Sequence, residues 1–196
     1  MTDGLTSQIA AFSRAVAGDR DFSMKVLVEK DRSAQEVTDI APRYMEPMAL
    51  SVLSIVNSRD TILSCGQFPA SAGGPSPVAG LLGSSAAFVM DNVKGPTVLT
   101  LQAKERFAIL DSVFYAIGGL IVDANFCSRF SLPQGYRLLC KQGAAVIGLE
   151  HVESISDVKD NMIALNNVSY PAVSIALPFS GSGSPPSLII IPDKPL

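Results

Sequence analysis

The sequence predicts an α+β protein: N-terminal helices followed by two tandem, small antiparallel-sheet units. Three observations carry this reading. Apolar residues recur at helical spacing through the first 45 residues. From Met48 the period changes, and β-rich runs alternate with polar turns. The order helix, hairpin, irregular connection and strands in residues 34–121 then returns in shorter form in residues 122–192. The expected division is 1–45, 46–121 and 122–196.

The elements follow in order. Leu5, Ile9, Phe12 and Val16 lie on one helical face, and Gly18-Asp19 breaks the run. Phe22, Val26 and Leu27 indicate a second short turn of helix. Ser33-Ala34-Gln35-Glu36 has the form of a capping box, with Ser33 accepting from the Glu36 amide. Val37, Ile40, Ala41 and Tyr44 continue one face, and Pro42 should kink or end that helix because it lacks a backbone donor. Leu50–Val56 and Thr61–Cys65 make a hairpin across Asn57-Ser58-Arg59-Asp60. Residues 67–96 are irregular and rich in Pro and Gly, with a short helix expected over Ser84–Met90. A segment this long is a binding loop or disorder. Its Phe68, Val78, Leu81, Leu82, Phe88 and Val89 favour a packed binding loop. A strand at Thr97–Ala103 should reach a polar turn at Lys104-Glu105-Arg106. Strands at Phe107–Leu110 and Val113–Gly118 come next, separated at Asp111-Ser112. Val122–Arg129 reads as a helix capped by Asp123. Tyr136–Lys141, Ala145–Leu149, Met162–Leu165, Tyr170–Leu177 and Leu188–Ile191 form the second set of strands.

Composition excludes several functions. Fifteen basic and eighteen acidic side chains give a net charge of −3 with no basic run, so a nucleic-acid footprint is not expected. The single histidine, His151, argues against histidine-rich metal sites and triad chemistry. It reads as a solvated loop residue or, between Glu150 and Glu153, as a pH switch. Cys65, Cys127 and Cys140 lack metal-ligand spacing and read as buried thiols, and Cys127 and Cys140 pair only if the fold brings them together. Gly181-Ser182-Gly183-Ser184 is not a nucleophile elbow, and Ser71-Ala72-Gly73-Gly74 lacks the lysine of a phosphate loop. No cofactor is expected. The longest apolar stretch, Phe107–Val122, is interrupted by Asp111, Gly118 and Gly119 and reads as buried strands rather than a spanning helix. Residues 2–8 are polar where a signal peptide would be apolar, and the chain reads as a piece excised from a longer protein.

Binding features remain. Phe68, Phe88, Asn92, Lys94 and Arg106 fall in or beside the long irregular region, and Tyr115 lies on the last strand of the first unit. Aromatics with a few convergent polar groups suit a small-ligand pocket. Lys94 or Arg106 would pair with a carboxylate ligand. The plainer reading of each is a core aromatic or a solvated charge.

At Tyr115–Arg129, YAIGGLIVDANFCSR, the sequence resembles a signature of extracytoplasmic Cache (PAS-like) sensor domains. There the closing strand of the first module runs into Gly-Gly-apolar-x-Asp and a short helix that leads to the second module. Gly118, Gly119 and Asp123 hold those places. Ile62–Pro69, ILSCGQFP, is similar to a Leu-Ser-Ser-Gly-His-Phe-Pro run in periplasmic regions of some bacterial sensor histidine kinases, with Cys65 and Gln67 replacing serine and histidine. The resemblance covers about residues 20–192. It implies a double Cache region of a membrane-bound two-component histidine kinase. Membrane segments and the kinase core would lie outside this chain, which would not itself be an enzyme. It implies a periplasmic location and a small-molecule ligand under residues 67–96, a carboxylate among the candidates. Gln67 joins the candidate site as the counterpart of the family's histidine. The stripe Leu5, Ile9, Phe12, Val16 further implies a homodimer through the N-terminal helices. The alternative is a ligand-free interaction domain or a small cytosolic enzyme, although no acid, base or nucleophile set supports an enzyme.

Overall fold

The computed structural model describes residues 2–149, 152 and 154–195. His151, Glu150 and Glu153 lie outside the described residues, and the pH-switch reading lies there with them. The chain divides into two compact units, Met1–Ile121 and Val122–Leu196.

The first unit opens with helix α1 (Thr2–Ala17). Its stripe Leu5, Ile9, Phe12 and Val16 is buried, and Ile9 packs against Gly118 of the unit's own sheet. That stripe is therefore not free to pair with a second copy. Helix α2 (Arg20–Ser23) is capped by Asp19, whose side chain accepts from the Phe22 amide at 2.9 Å. It runs on as a π-helical stretch, Met24–Glu29, which ends at Lys30 in the left-handed conformation (φ 55°). The capping box does not form. Ser33 donates its amide and hydroxyl to Asp31 instead, at 3.1 and 2.7 Å. Helix α3 (Gln35–Thr38) begins after Ala34 with no side-chain cap. The nearer carboxylate has taken the serine donors, and they hold Asp31 below the usual carboxylate range. Helix α4 (Ile40–Met45) carries Pro42 in its first turn, where a missing N–H costs nothing. The break thus falls at Asp39, before the proline.

Five antiparallel strands follow: β1 (Val52–Asn57), β2 (Ile62–Cys65), β3 (Ala87–Asn92), β4 (Thr97–Ile109) and β5 (Ser112–Ile121). Their order is β2-β1-β5-β4-β3. The β1–β2 hairpin forms as the sequence predicts. Two expectations fail. Lys104-Glu105-Arg106 is not a turn, because β4 pairs with β5 without interruption from Thr100 to Ile109. Leu101, Ala103, Phe107 and Ile109 are buried on one face of β4, so its apolar alternation continues through the charges. Ser84–Met90 is not a helix, since pairing of Ala87–Asn92 with β4 overrides local preference.

Helices cover one face of this sheet. Phe22 meets Phe114 edge-on at 6.1 Å. The Ser64 hydroxyl donates to the Thr38 carbonyl at 2.6 Å and accepts from the Ala41 amide at 2.9 Å. The β2–β3 connection covers the other face. Val78, Ala79 and Leu82 pack there on Val56, Ile62, Cys65, Ala87, Val89 and Ile117. Backbone bonds between Ile62 and Gly73 and Gly74 fasten the connection to β2. Residues 67–86 of the long irregular region are thus a packed loop, and Ala87–Asn92, expected within that region, is strand β3.

The second unit starts with helix α5 (Ala124–Ser128), capped by Asp123, which accepts from the Phe126 amide at 2.7 Å. Strands β6 (Tyr136–Gln142), β7 (Ala145–Ile147), β8 (Met162–Leu165), β9 (Val168–Pro171), β10 (Val173–Ala176) and β11 (Ser187–Pro192) follow. They form a four-stranded sheet, β10-β11-β6-β7, and a β8-β9 ribbon. The single strand expected over Tyr170–Leu177 is split. Pro171 has no amide to donate, and Ala172 donates to the Asn161 carbonyl at 2.8 Å, so β9 and β10 join different sheets. Leu139, Ile163, Leu165, Ala172, Ile189 and Ile191 form this unit's core. All three cysteines are buried free thiols.

Candidate ligand-binding site

A cavity of about 350 Å³ opens in the first unit between the loop-covered face of the sheet and the β2–β3 connection. Ser54, Ile62 and Cys65 supply its floor from β1 and β2. Gln67, Phe68, Ser71 and Pro75-Ser76-Pro77-Val78 supply the wall from the connection. Asp91, Asn92 and Gly95 close the end of β3.

Asp91 is the charged group of this cavity and is 5% exposed. Strand alternation places it on the covered face with Ala87 and Val89. Its two oxygens accept from the Asn92 amide and from Gln102 Nε2, each at 2.8 Å. Gln102 Nε2 also donates to Thr100 Oγ1 at 2.9 Å, and the Thr100 hydroxyl donates to the Val89 carbonyl at 3.0 Å. Burial pushes the Asp91 carboxyl above the usual range, against the pull of the Gln102 and Asn92 hydrogen bonds. The ion pairs among the described residues, Lys25–Glu29, Arg137–Asp193 and Lys141–Asp157, do not include it. Asp91 is therefore a buried carboxylate held only by neutral donors, beside a space of small-ligand size. Cys65 is the other titratable group there, and burial raises its thiol, which makes it a poor nucleophile.

The structure brings Gln67, Phe68 and Asn92 of the sequence-predicted residues to this cavity. Gln67 also ties the connection to the sheet, its Oε1 accepting from the Leu53 amide at 3.0 Å. Phe68 is 48% exposed at the rim. Asn92 Oδ1 accepts from Thr97 Oγ1 at 2.7 Å. The other four lie elsewhere. Phe88 is buried on the face of β3 opposite Asp91. Lys94 is exposed in the β3–β4 turn with φ 54°. Arg106 is exposed on β4 across from Tyr115. Tyr115 packs at the margin of the core under the loop, with Lys104 Nζ 5.2 Å from its ring centre. That ammonium donates to the Ala79 carbonyl at 2.8 Å and so tethers the loop. Sequence reasoning missed Asp91. Its signal was the alternation Ala87, Val89, Asp91, which a helix over Ser84–Met90 concealed.

No family model and no curated protein matches this sequence. Solved structures do match. The sensor domain of the V. cholerae histidine kinase DctB aligns with a TM-score of 0.57 at 9% identity, over 96% of this chain and 95% of that one. This chain shares the fold of that sensor domain. The extracellular domain of the putative histidine kinase vpHK1S-Z8 aligns with a TM-score of 0.51 at 11% identity, over 97% of this chain and 85% of that one. An extracellular ligand-binding receptor from Desulfohalobium retbaense also aligns with a TM-score of 0.51 at 11% identity. That alignment covers 96% of this chain and 37% of the receptor. Likeness at these identities concerns the fold, and no binding residue carries across. Among the described residues, no helix is long and apolar enough to cross a membrane.

Proposed function

We propose that this chain is the extracytoplasmic ligand-sensing part of a membrane-bound histidine kinase, and that its first unit binds a small molecule bearing a cationic amine. The sensor fold supports the first half of this reading. The second unit would be a further PAS-like module, and the kinase core would lie outside this chain. Asp91 carries the second half. A carboxylate ligand in this cavity would face a second carboxylate in poorly solvated surroundings, which is strongly unfavourable. Lys94 and Arg106, the cations that would have paired with it, do not line the cavity. An ammonium group would instead complete Asp91 with a charge-assisted hydrogen bond. The loop tethered by Lys104 and by Gly73 and Gly74 covers the same cavity, so a ligand can favour one loop position over another. Signalling needs only such a difference in affinity between two states.

Thermal-shift titrations of the chain and of Asp91→Asn test this reading, using amino acids, aliphatic diamines and dicarboxylates. Amines should stabilise the parent protein in proportion to dose, by about 2.7 kcal/mol at 100 times the dissociation constant. The shift should vanish in Asp91→Asn. Stabilisation by dicarboxylates alone, or an amine shift that survives in Asp91→Asn, overturns the amine assignment. Silence across all three classes favours a ligand-free interaction domain.

A further inference from the structure

We infer that the first unit carries a second binding site, for a compact phosphate-bearing anion, at the end of its sheet where the β1–β2 and β4–β5 turns meet. A cleft of about 630 Å³ lies there and shares no lining residue with the Asp91 cavity. Three cations line it: Lys30 and Arg32 from the exit of the π-helical stretch, and Arg59 from the β1–β2 turn. Its one carboxylate is Asp111. Lys30, Arg32 and Arg59 make no side-chain ion pair or hydrogen bond among the described residues. The acids that flank Lys30 and Arg32 in sequence are engaged elsewhere, Glu29 with Lys25 at 2.8 Å and Asp31 with Ser33 at 2.7 Å, and Asp60, next to Arg59, does not line the cleft. A chain of net charge −3 thus gathers unpaired positive charge in one concavity. The buried Val26 and Phe114 give the cleft apolar walls of low dielectric, which focus that field.

The backbone is shaped around the same cleft. A π-helical stretch of six residues is rare and recurs at functional sites. Lys30 at φ 55° and Leu110 at φ 51°, next to Asp111, hold non-glycine residues in the left-handed region, which such residues seldom adopt. The Asn57 side chain accepts from the Arg59 amide at 2.8 Å and the Thr61 amide at 3.1 Å, which fixes the turn that presents Arg59. Two guanidinium groups and an ammonium match the oxygens of a phosphate group, which a guanidinium can bind in a fork. That group could belong to a soluble phosphate or to a lipid headgroup.

Isothermal titration with inorganic pyrophosphate, at matched ionic strength, addresses the soluble source. Co-sedimentation with phosphatidylglycerol vesicles, against phosphatidylcholine vesicles, addresses the headgroup. One or both should bind. Binding should weaken at least tenfold in Arg32→Ala/Arg59→Ala and by an intermediate factor in Arg59→Gln, which keeps the turn's backbone bonds. Lys94→Ala, with a charge removed outside the cleft, should bind as the parent does. No binding in either arm, or equal weakening in Lys94→Ala, overturns the site. Arg59→Gln decides the matter if the double variant fails to fold.

Discussion

Asp91 gives the protein a pH signature that can be separated from its ligand. Burial raises its carboxyl in the folded state above the ordinary carboxylate value of about 3.9. Below the unfolded value both states hold the proton, and the group imposes no penalty. As the pH rises from that value through the folded one, the unfolded chain releases its proton first and stability falls. Asp31 and Asp157 are shifted downwards, by Ser33 and by Lys141, so they contribute the opposite slope. The difference between the parent and Asp91→Asn isolates Asp91. The urea midpoint of the parent should fall relative to the variant as the pH rises above the ordinary carboxylate value of about 3.9; parallel profiles would show that Asp91 keeps its ordinary pKa. Cys140 offers a second test. Burial, with Cys127 beside it, pushes its thiol up to about 12. Iodoacetamide at pH 8 should spare Cys140 in the native protein and modify it in urea, as peptide mass spectrometry would show. Labelling at equal rates in both states would remove the claim. The buried thiols were legible in composition, whereas the buried carboxylate was not. Asp91 looks like an ordinary polar residue until pairing with β4 turns it inward.

At the scale of elements, the paired glycines of β5 are explained by close approach. A Cβ on Gly118 would lie 2.3 Å from Ile9 Cδ1, the end of a flexible side chain on α1. A Cβ on Gly119 would lie 2.1 Å from the Leu101 carbonyl oxygen, which is backbone of the neighbouring strand. Gly118→Ala should therefore cost about 1–3 kcal/mol, in the usual range for overpacking. Ile9→Val removes the obstructing methyl and should recover part of that loss in the double variant. Gly119→Ala should cost more and find no relief from Ile9→Val. Urea unfolding of the cycle measures both, and additive effects for Gly118→Ala and Ile9→Val would refute the contact. The sequence marked these glycines through a resemblance, but only the packing of α1 on β5 gives the reason. Local patterns served best where an element is stabilised locally, as in the β1–β2 hairpin and the Asp123 cap. They failed at β3 and β4, whose boundaries are set by partners far along the chain.

On the scale of the whole chain, the α+β class followed from a change of periodicity, which is a local property. The order β2-β1-β5-β4-β3 did not, because it depends on β5 inserting between β1 and β4. Nor does the repeated element order fix a repeated architecture, since one unit has a five-stranded sheet and the other a four-stranded sheet with a ribbon. Each unit has its own buried cluster, one around Val89 and Ile117 and the other around Leu139, Ile163 and Ile189. All lining residues of the Asp91 cavity belong to the first unit. Binding should therefore survive damage to the second. Ile163 is 1% exposed, and Ile163→Ala should cost about 2–5 kcal/mol through the cavity it leaves. Hydrogen exchange should speed up within Val122–Leu196 and change little in β1–β5. Affinity for an amine ligand should stay within about twofold of the parent, since the residues that line the cavity all belong to the first unit. A tenfold loss of affinity, with exchange in β1–β5 unchanged, would mean that the second unit helps to hold the ligand, and the site would have to be redrawn to include it.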